Sequence, residues 1–137
     1  MHVTGISYTA VLIAAIASFV FGGLWYGVFA KRRLESTGGD TVKGAFSVAQ
    51  FAIIFIAQLV MAWMLAGILL HVTRGGIPLN ARNAIISAVL IWVGFVMTSL
   101  SASHALQGSR FSATLIDGGH WLGVLLIQSA ILASMAT

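Results

Sequence analysis

The polar residues best suited to chemistry lie near the end of the chain, in an otherwise apolar stretch. Asp117 and His120 are three positions apart, and Gln128 follows eight positions later. At about 100° per residue, these three side chains fall within about a third of a helix circumference. Ionisable groups inside an apolar segment are costly, and they are therefore candidates for a functional site. We expect one polar face on this helix, with Asp117 and His120 as its titratable groups.

The residues on the other side of a short turn are expected to meet this polar face. The turn reads Gln-Gly-Ser-Arg, and two helices joined by so few residues are antiparallel neighbours. A rise of about 1.5 Å per residue places Asp117 and Ser101 at a similar depth, about 10 Å from the turn. His104 then lies about 5 Å from the turn and His120 about 14 Å. The spacing predicts one cluster of these four residues, in which Arg110 neutralises the acid.

Such a cluster is compatible with three kinds of chemistry. Asp117 and His120 are both titratable and would form a proton or ion relay through a small transporter or channel. Together with His104 they offer suitable metal ligands, but the spacing of three is common and there are only three donors. A haem held by His104 and His120 is disfavoured, because their depths differ by about 9 Å. We predict no metal site, and the relay remains the alternative function.

A structural role for Asp117 is favoured over these chemical roles. If the helix begins near Gly119, the residues up to Ala136 still cross a bilayer, and Asp117 caps the amino end of the helix at the interface. In a longer helix, an Asp–His hydrogen bond between helices would only fix their packing. We predict no catalytic residue.

A second pattern, rich in glycine and aromatic residues, ends the first apolar stretch. Ala14, Ser18 and Gly22 recur every four positions. Small residues at this spacing let two helix backbones approach closely, so a packing role is expected. The alternative is a groove that takes a lipid or quinone tail. The residues of this packing face or groove are Gly22, Gly23, Trp25, Tyr26 and Gly27.

The elements that position these residues follow from the composition. The chain has 137 residues, of which 59% are hydrophobic and only 7% are charged. A chain of this length cannot bury so many apolar side chains, so its surface must face lipid. Four apolar stretches have the length of about 20 residues that is needed to cross the hydrocarbon core. They cover residues 8–30, 45–70, 84–106 and 111–136.

All four stretches are predicted to be helices. Lipid cannot satisfy unpaired backbone groups, and the stretches lack the strict alternation of barrel strands. The expected fold is an all-α, four-helix transmembrane bundle with up-down-up-down topology, built as a single domain of residues 1–137.

The basic residues predict the orientation of this bundle. The first and third loops contain five of them, namely Lys31, Arg32, Arg33, Lys43 and Arg110. The second loop contains Arg74 and Arg82, and the termini contain none. Because cytoplasmic loops are enriched in Lys and Arg, both termini should face away from the cytoplasm.

The composition also excludes several classes of function. The formal net charge is +4, but most basic residues lie in one polar segment, where they set topology and do not indicate a nucleic-acid partner. The absence of cysteine excludes disulfides, zinc thiolate sites and iron–sulfur clusters. Phosphate-binding loops, nucleophile elbows and the HExxH zinc motif are also missing from the sequence. These observations predict a protein that is not an enzyme.

Four short motifs resemble a known family. They are Gly22–Gly27 (GGLWYG), Ile91–Phe95 (IWVGF), Ser103–Arg110 (SHALQGSR) and Leu115–Trp121 (LIDGGHW). Their order and spacing over nearly the whole chain are similar to the bacterial domain of unknown function 1761 family. The resemblance implies a small four-span protein of the bacterial inner membrane with no established activity. It directs attention to Gly23, Trp25, Tyr26, Gly108, Arg110 and Asp117.

The function expected from these features is binding within the membrane. Four short helices bury little among themselves, so they suit a homo-oligomer or an accessory subunit of a larger complex, such as a photosynthetic or respiratory one. Membrane lipid and other membrane subunits are the expected partners. No cofactor is predicted, although the histidines and aromatic rings would suit contact with lipid, quinone or pigment.

Overall fold

A computed structural model describes residues 5–36 and 47–136, and in these ranges the chain forms a bundle of four helices without strands. Helix α1 comprises Tyr8–Ser36, α2 comprises Val48–Arg74, α3 comprises Ala81–Gln107 and α4 comprises Phe111–Ser134. All four are long and apolar enough to cross a membrane. The predicted all-α, four-helix fold of a multi-pass membrane protein is confirmed. The side on which the termini lie remains a prediction.

The helix ends explain where the predicted stretches begin and stop. At the start of α2, Ser47 accepts a hydrogen bond from the backbone N–H of Gln50, whose side chain accepts one from Ser47 in return. Residues 37–46, directly before Ser47, lie outside the described residues. They include the first residues of the predicted second span and the loop residues Asp40 and Lys43.

The loop between α2 and α3 is shorter than the sequence indicated. The sequence left about thirteen residues between the apolar stretches, but α2 continues to Arg74 and α3 begins at Ala81. Both helices extend past the apolar stretches into polar sequence. Asn80 caps the start of α3 by accepting a hydrogen bond from the backbone N–H of Asn83. At the end of α2, the backbone N–H of Gly75 donates to the carbonyl of His71. Arg82 accordingly lies in the first turn of α3.

Helices α1 and α4 pack against each other at the centre of the arrangement, while α2 packs mainly against α1 and α3 mainly against α4. Small residues line these contacts, since Ala14, Ala62 and Ala88 are fully buried. Large apolar side chains point outward instead, as Val28 and Phe95 show with exposed fractions of 75% and 73%. This distribution is that of helices surrounded by lipid, where close backbone packing holds the bundle together.

Helix α3 contains a π-helical segment at Trp92–Met97 that the sequence did not indicate. The Trp92 indole N–H donates a hydrogen bond to the carbonyl of Gly118 in α4 (2.8 Å). A π turn accommodates one more residue than an α turn and so changes which later residues face a neighbouring helix. The segment therefore helps to decide which residues of the second half of α3 meet α4.

Candidate functional site

Asp117 lies inside α4, not at its end. The helix begins at Phe111 and runs through Gly118 and Gly119 without a break, and Asp117 is 4% exposed. The alternative in which Asp117 caps a helix that starts near Gly119 is therefore wrong. These glycines serve close packing. A Cβ atom on Gly119 would lie 2.7 Å from the ring of Trp25, and one on Gly118 would lie 2.7 Å from the sulfur of a methionine in α3.

Asp117 has three side-chain partners from two other helices. Arg33 binds it through two hydrogen bonds, from Nε to Oδ1 (2.7 Å) and from Nη2 to Oδ2 (2.9 Å). The Tyr26 hydroxyl donates to Oδ1 (2.6 Å), and Nε2 of His104 lies 3.3 Å from Oδ2. Two-point pairing with a guanidinium is among the strong charge-assisted contacts. We call these four residues the Asp117 cluster.

The basic partner of Asp117 differs from the predicted one. The sequence placed Arg110 against the acid, but Arg110 is an exposed residue at the start of α4, and Arg33 occupies this position instead. Arg33 can do so because α1 continues to Ser36, well beyond the end of the predicted span at Ala30. The extra turns bring the guanidinium alongside α4.

Of the two α3 residues that were predicted to lie near Asp117, His104 belongs to the Asp117 cluster and Ser101 does not. His104 is 7% exposed, and its Nδ1 lies 2.9 Å from the hydroxyl of Thr114 in α4. Ser101 is exposed and lies outside the cluster. Depth along a helix follows from residue counting, whereas the direction of a side chain depends on local helix geometry.

His120 has mainly aromatic surroundings. It is 3% exposed, and its ring centroid lies 4.8 Å from that of Tyr26 and 4.6 Å from that of Trp121. Its Nε2 atom faces Gly22, where a Cβ atom would come within 2.8 Å. Within the described ranges, its Nδ1 atom is buried without a hydrogen-bond partner.

A second group of polar residues lies deeper in the bundle. The Ser18 hydroxyl donates to Oε1 of Gln58 (2.9 Å), and Nε2 of Gln128 donates to the Ser18 oxygen (3.0 Å). All three residues are 0% exposed. In the described part of the chain, Nε2 of Gln58 and Oε1 of Gln128 find no hydrogen-bond partner. We call these three residues the Gln58 cluster.

The two clusters and His120 form one polar row along the inner side of α1. From Ser18 to Arg33 the row follows 15 residues of helix, which corresponds to about 22 Å of a hydrocarbon core about 30 Å thick. The polar face predicted for α4 belongs to it, since Asp117, His120 and Gln128 are all buried. The row can hold helices together, and its titratable end can bind or pass protons. Among the described residues, no group of three or more His, Cys, Asp or Glu is placed to hold a metal ion.

The glycine and aromatic residues of α1 are divided between two surfaces. Gly22 is buried against His120, and the Trp25 indole N–H donates to the carbonyl of Ile116 in α4 (3.0 Å). Gly23 and Gly27 are exposed, and a Cβ atom on either would meet nothing within 4 Å. The five residues therefore do not form one groove. Gly22, Trp25 and Tyr26 pack α1 against α4, and the other two face outward.

Arg33 and Thr114 are the site residues that sequence reasoning missed. Arg33 follows Tyr26 by seven positions, which is two helical turns and therefore the same face. Thr114 precedes Asp117 by three positions and shares its face in the same way. This periodicity could have identified both residues as neighbours of the site, but it could not have shown that Arg33 is the partner of Asp117.

Comparison with known proteins identifies a family and no activity. The model of the family described as protein of unknown function (DUF1761) matches residues 9–133. Searches of curated proteins and of solved structures found no match. The matched range includes all four helices except the first residue of α1 and the last residue of α4, and it includes every residue of the polar row. The chain therefore belongs to the domain of unknown function 1761 family, as its four motifs indicated.

Proposed function

We propose that this protein acts by binding other chains within the membrane, as a homo-oligomer or as an accessory subunit of a larger complex, and not as an enzyme. The observation that carries the proposal is the outward face of the second half of α3. This face exposes small and hydroxyl-bearing residues to the bundle exterior: Gly94, Thr98, Ser101, Ala102 and Ala105.

This face is richer in small residues than the outward surface of α1. Most outward positions of α1 carry large side chains such as Leu24 and Val28, with exposed fractions of 68% and 75%, although Gly23 and Gly27 are also exposed. Small residues are typical of helix–helix contacts in membranes, because they let backbones approach closely. The Thr98 hydroxyl donates a hydrogen bond to the carbonyl of Gly94 in the same helix, so it does not need a donor or acceptor from a neighbouring helix. In the most apolar stretch of α3 only 11% of residues are buried, against 44% in α4.

Two exposed glycines allow a matched test. Gly94 in α3 and Gly23 in α1 both have open space where a Cβ atom would stand. We expect Gly94→Leu to weaken association, because the added side chain separates the two helices, whereas Gly23→Leu leaves it unchanged. Native mass spectrometry of gently solubilised membranes measures the fraction of protein bound to a second chain. A parent protein that is purely monomeric, or equal effects of both substitutions, would contradict the proposal.

A peripheral position in a photosynthetic or respiratory complex of the bacterial inner membrane is one form of this proposal. The family resemblance supports the bacterial inner membrane as the location, and outward aromatic residues such as Phe95 would suit contact with lipid, quinone or pigment. The same mass spectra distinguish this form from a homo-oligomer, because the bound chain then differs from the protein in mass.

The buried polar row favours a second function, a small transporter or channel with a proton path through Asp117 and His120. Buried polar atoms without partners are rare, and three of them lie along this row within the described residues. Proton flux into proteoliposomes should then be lost in Asp117→Asn and in His120→Phe, which retains an aromatic ring in the same space. Absence of flux in the parent, or unchanged flux in both variants, excludes this function.

A further inference from the structure

A groove lies at the end of the bundle where α1 ends and α4 begins, separate from the Asp117 cluster. Its volume is about 360 Å³. Phe29, Leu115 and Ile116 contribute apolar walls, while Arg32, Arg110 and Ser112 contribute polar ones. Arg33 pairs with Asp117 and does not line this groove. The residues of α1 that line the groove are Phe29, Arg32 and Glu35.

The polar and apolar walls are arranged by depth. Arg32 follows Phe29 by one helical turn toward the end of α1, and Leu115 follows Arg110 by more than one turn into α4. The two guanidinium groups therefore lie toward the aqueous end of the bundle, and the apolar side chains lie toward the hydrocarbon core. A ligand with a charged head and an apolar body matches this order.

The charges of the groove select the kind of head group. Guanidinium groups bind phosphate oxygens through paired hydrogen bonds, and the positive end of the α4 dipole adds to their field. Among the described residues that line the groove, Arg32 and Arg110 are positively charged and Glu35 is negatively charged. The net charge of these described lining residues is +1, which matches a phosphodiester, with one negative charge, better than a free phosphate, which carries more.

We propose that this groove binds the head group of an anionic phospholipid such as phosphatidylglycerol. The phosphodiester lies between Arg32 and Arg110, and the first part of the acyl chains lies against Phe29 and Leu115. Membrane charge supports this occupant, since basic residues at a membrane surface attract anionic lipids. The groove can bind lipid whether or not the protein binds a partner chain through α3 or conducts protons along the polar row.

Native mass spectrometry of the purified protein in detergent tests the site, with phosphatidylglycerol and phosphatidylcholine as probes. The parent should retain phosphatidylglycerol in preference to phosphatidylcholine. Arg32→Gln and Arg110→Gln should each weaken this preference about fivefold. Arg82→Gln is the matched control, because Arg82 is an exposed arginine at the opposite end of the bundle. It should leave the preference unchanged.

Two further measurements make the test specific. Glu35→Gln should strengthen retention of phosphatidylglycerol, because it removes a negative charge from the groove, and this gain cannot arise from a loss of fold. Millimolar inorganic phosphate should not displace the lipid. The proposal is overturned if the parent shows no lipid preference, if Arg82→Gln has the same effect as the groove variants, if Glu35→Gln weakens binding, or if inorganic phosphate displaces the lipid fully.

Discussion

The carboxylate of Asp117 shows how a charged residue is accommodated between apolar helices. Burial of an unpaired charge would be prohibitively costly, but both oxygens of Asp117 accept hydrogen bonds, and the countercharge comes from Arg33. Arg33 remains 39% exposed at its side chain, so the pair lies at the edge of the bundle and not in a sealed interior. The contact joins α1 to α4 at one end of the molecule.

The pairing of Arg33 with Asp117 can be measured with a double-mutant cycle. We expect Arg33→Gln and Asp117→Asn to be coupled by about 1–2 kcal/mol of unfolding free energy, because each substitution removes the same charge-assisted contact. The corresponding cycle of Arg110→Gln with Asp117→Asn should give a coupling near zero. Steric-trap unfolding in bicelles provides the free energies. Stronger coupling to Arg110 than to Arg33 would contradict the observed pairing.

At the scale of elements, the contact between α1 and α4 depends on glycines that aromatic rings cover. A Cβ atom on Gly123 would overlap the ring of Phe21, and one on Gly119 would press on Trp25. The same two rings also contact each other, with centroids 5.7 Å apart. The ridge of aromatic side chains on α1 therefore fits into a groove of glycines on α4.

Alanine substitutions distinguish these covered glycines from exposed ones. Gly119→Ala and Gly123→Ala should lower the unfolding free energy by about 1–3 kcal/mol, because the added methyl group forces rigid rings to move. Gly23→Ala and Gly27→Ala should have no destabilising effect, since open space surrounds both positions and alanine favours a helix. Thermal unfolding in detergent can rank all four variants. Equal losses in the two pairs would show that the covered glycines do not determine packing.

At the scale of the whole molecule, both the polar row between the helices and the apolar outer surface follow from the lipid that surrounds the bundle. Lipid takes up the large apolar side chains on the outside, so hydrogen-bonding residues can concentrate between the helices. Ser18, Gln58 and Gln128 lie at one part of this interior, and the Asp117 cluster lies at another. Hydrogen-bonding residues are therefore buried between the helices beside an apolar core that contains many small residues.

The orientation of the bundle is a prediction for the whole molecule. The turn that contains Gly108 joins α3 to α4, and the positive-inside rule places this turn in the cytoplasm. A reporter active only after export should be active when fused after Thr137 and inactive when inserted beside Gly108. The reverse pattern would place the lipid groove and the Asp117 cluster at the opposite membrane surface.

Local patterns in the sequence were sufficient to determine the fold class and part of the site. Composition requires lipid as the solvent, and four apolar stretches of spanning length then require four helices. The polar face of Asp117, His120 and Gln128 and the small face of Ala14, Ser18 and Gly22 follow from helical periodicity alone. Both faces are buried in the structure, because residues that recur with the helix period share a side whatever the helix packs against.

Tertiary structure alone decided which residues of different helices meet. Arg33 replaces Arg110 beside Asp117 because α1 is longer than its apolar stretch and lies next to α4, and neither fact is encoded in a local pattern. Ser101 remains outside while His104 enters the cluster, since the direction of each side chain depends on the path of α3 with its π-helical segment. Sequence periodicity specifies the face of a helix, but the neighbour of that face depends on how all four helices pack together.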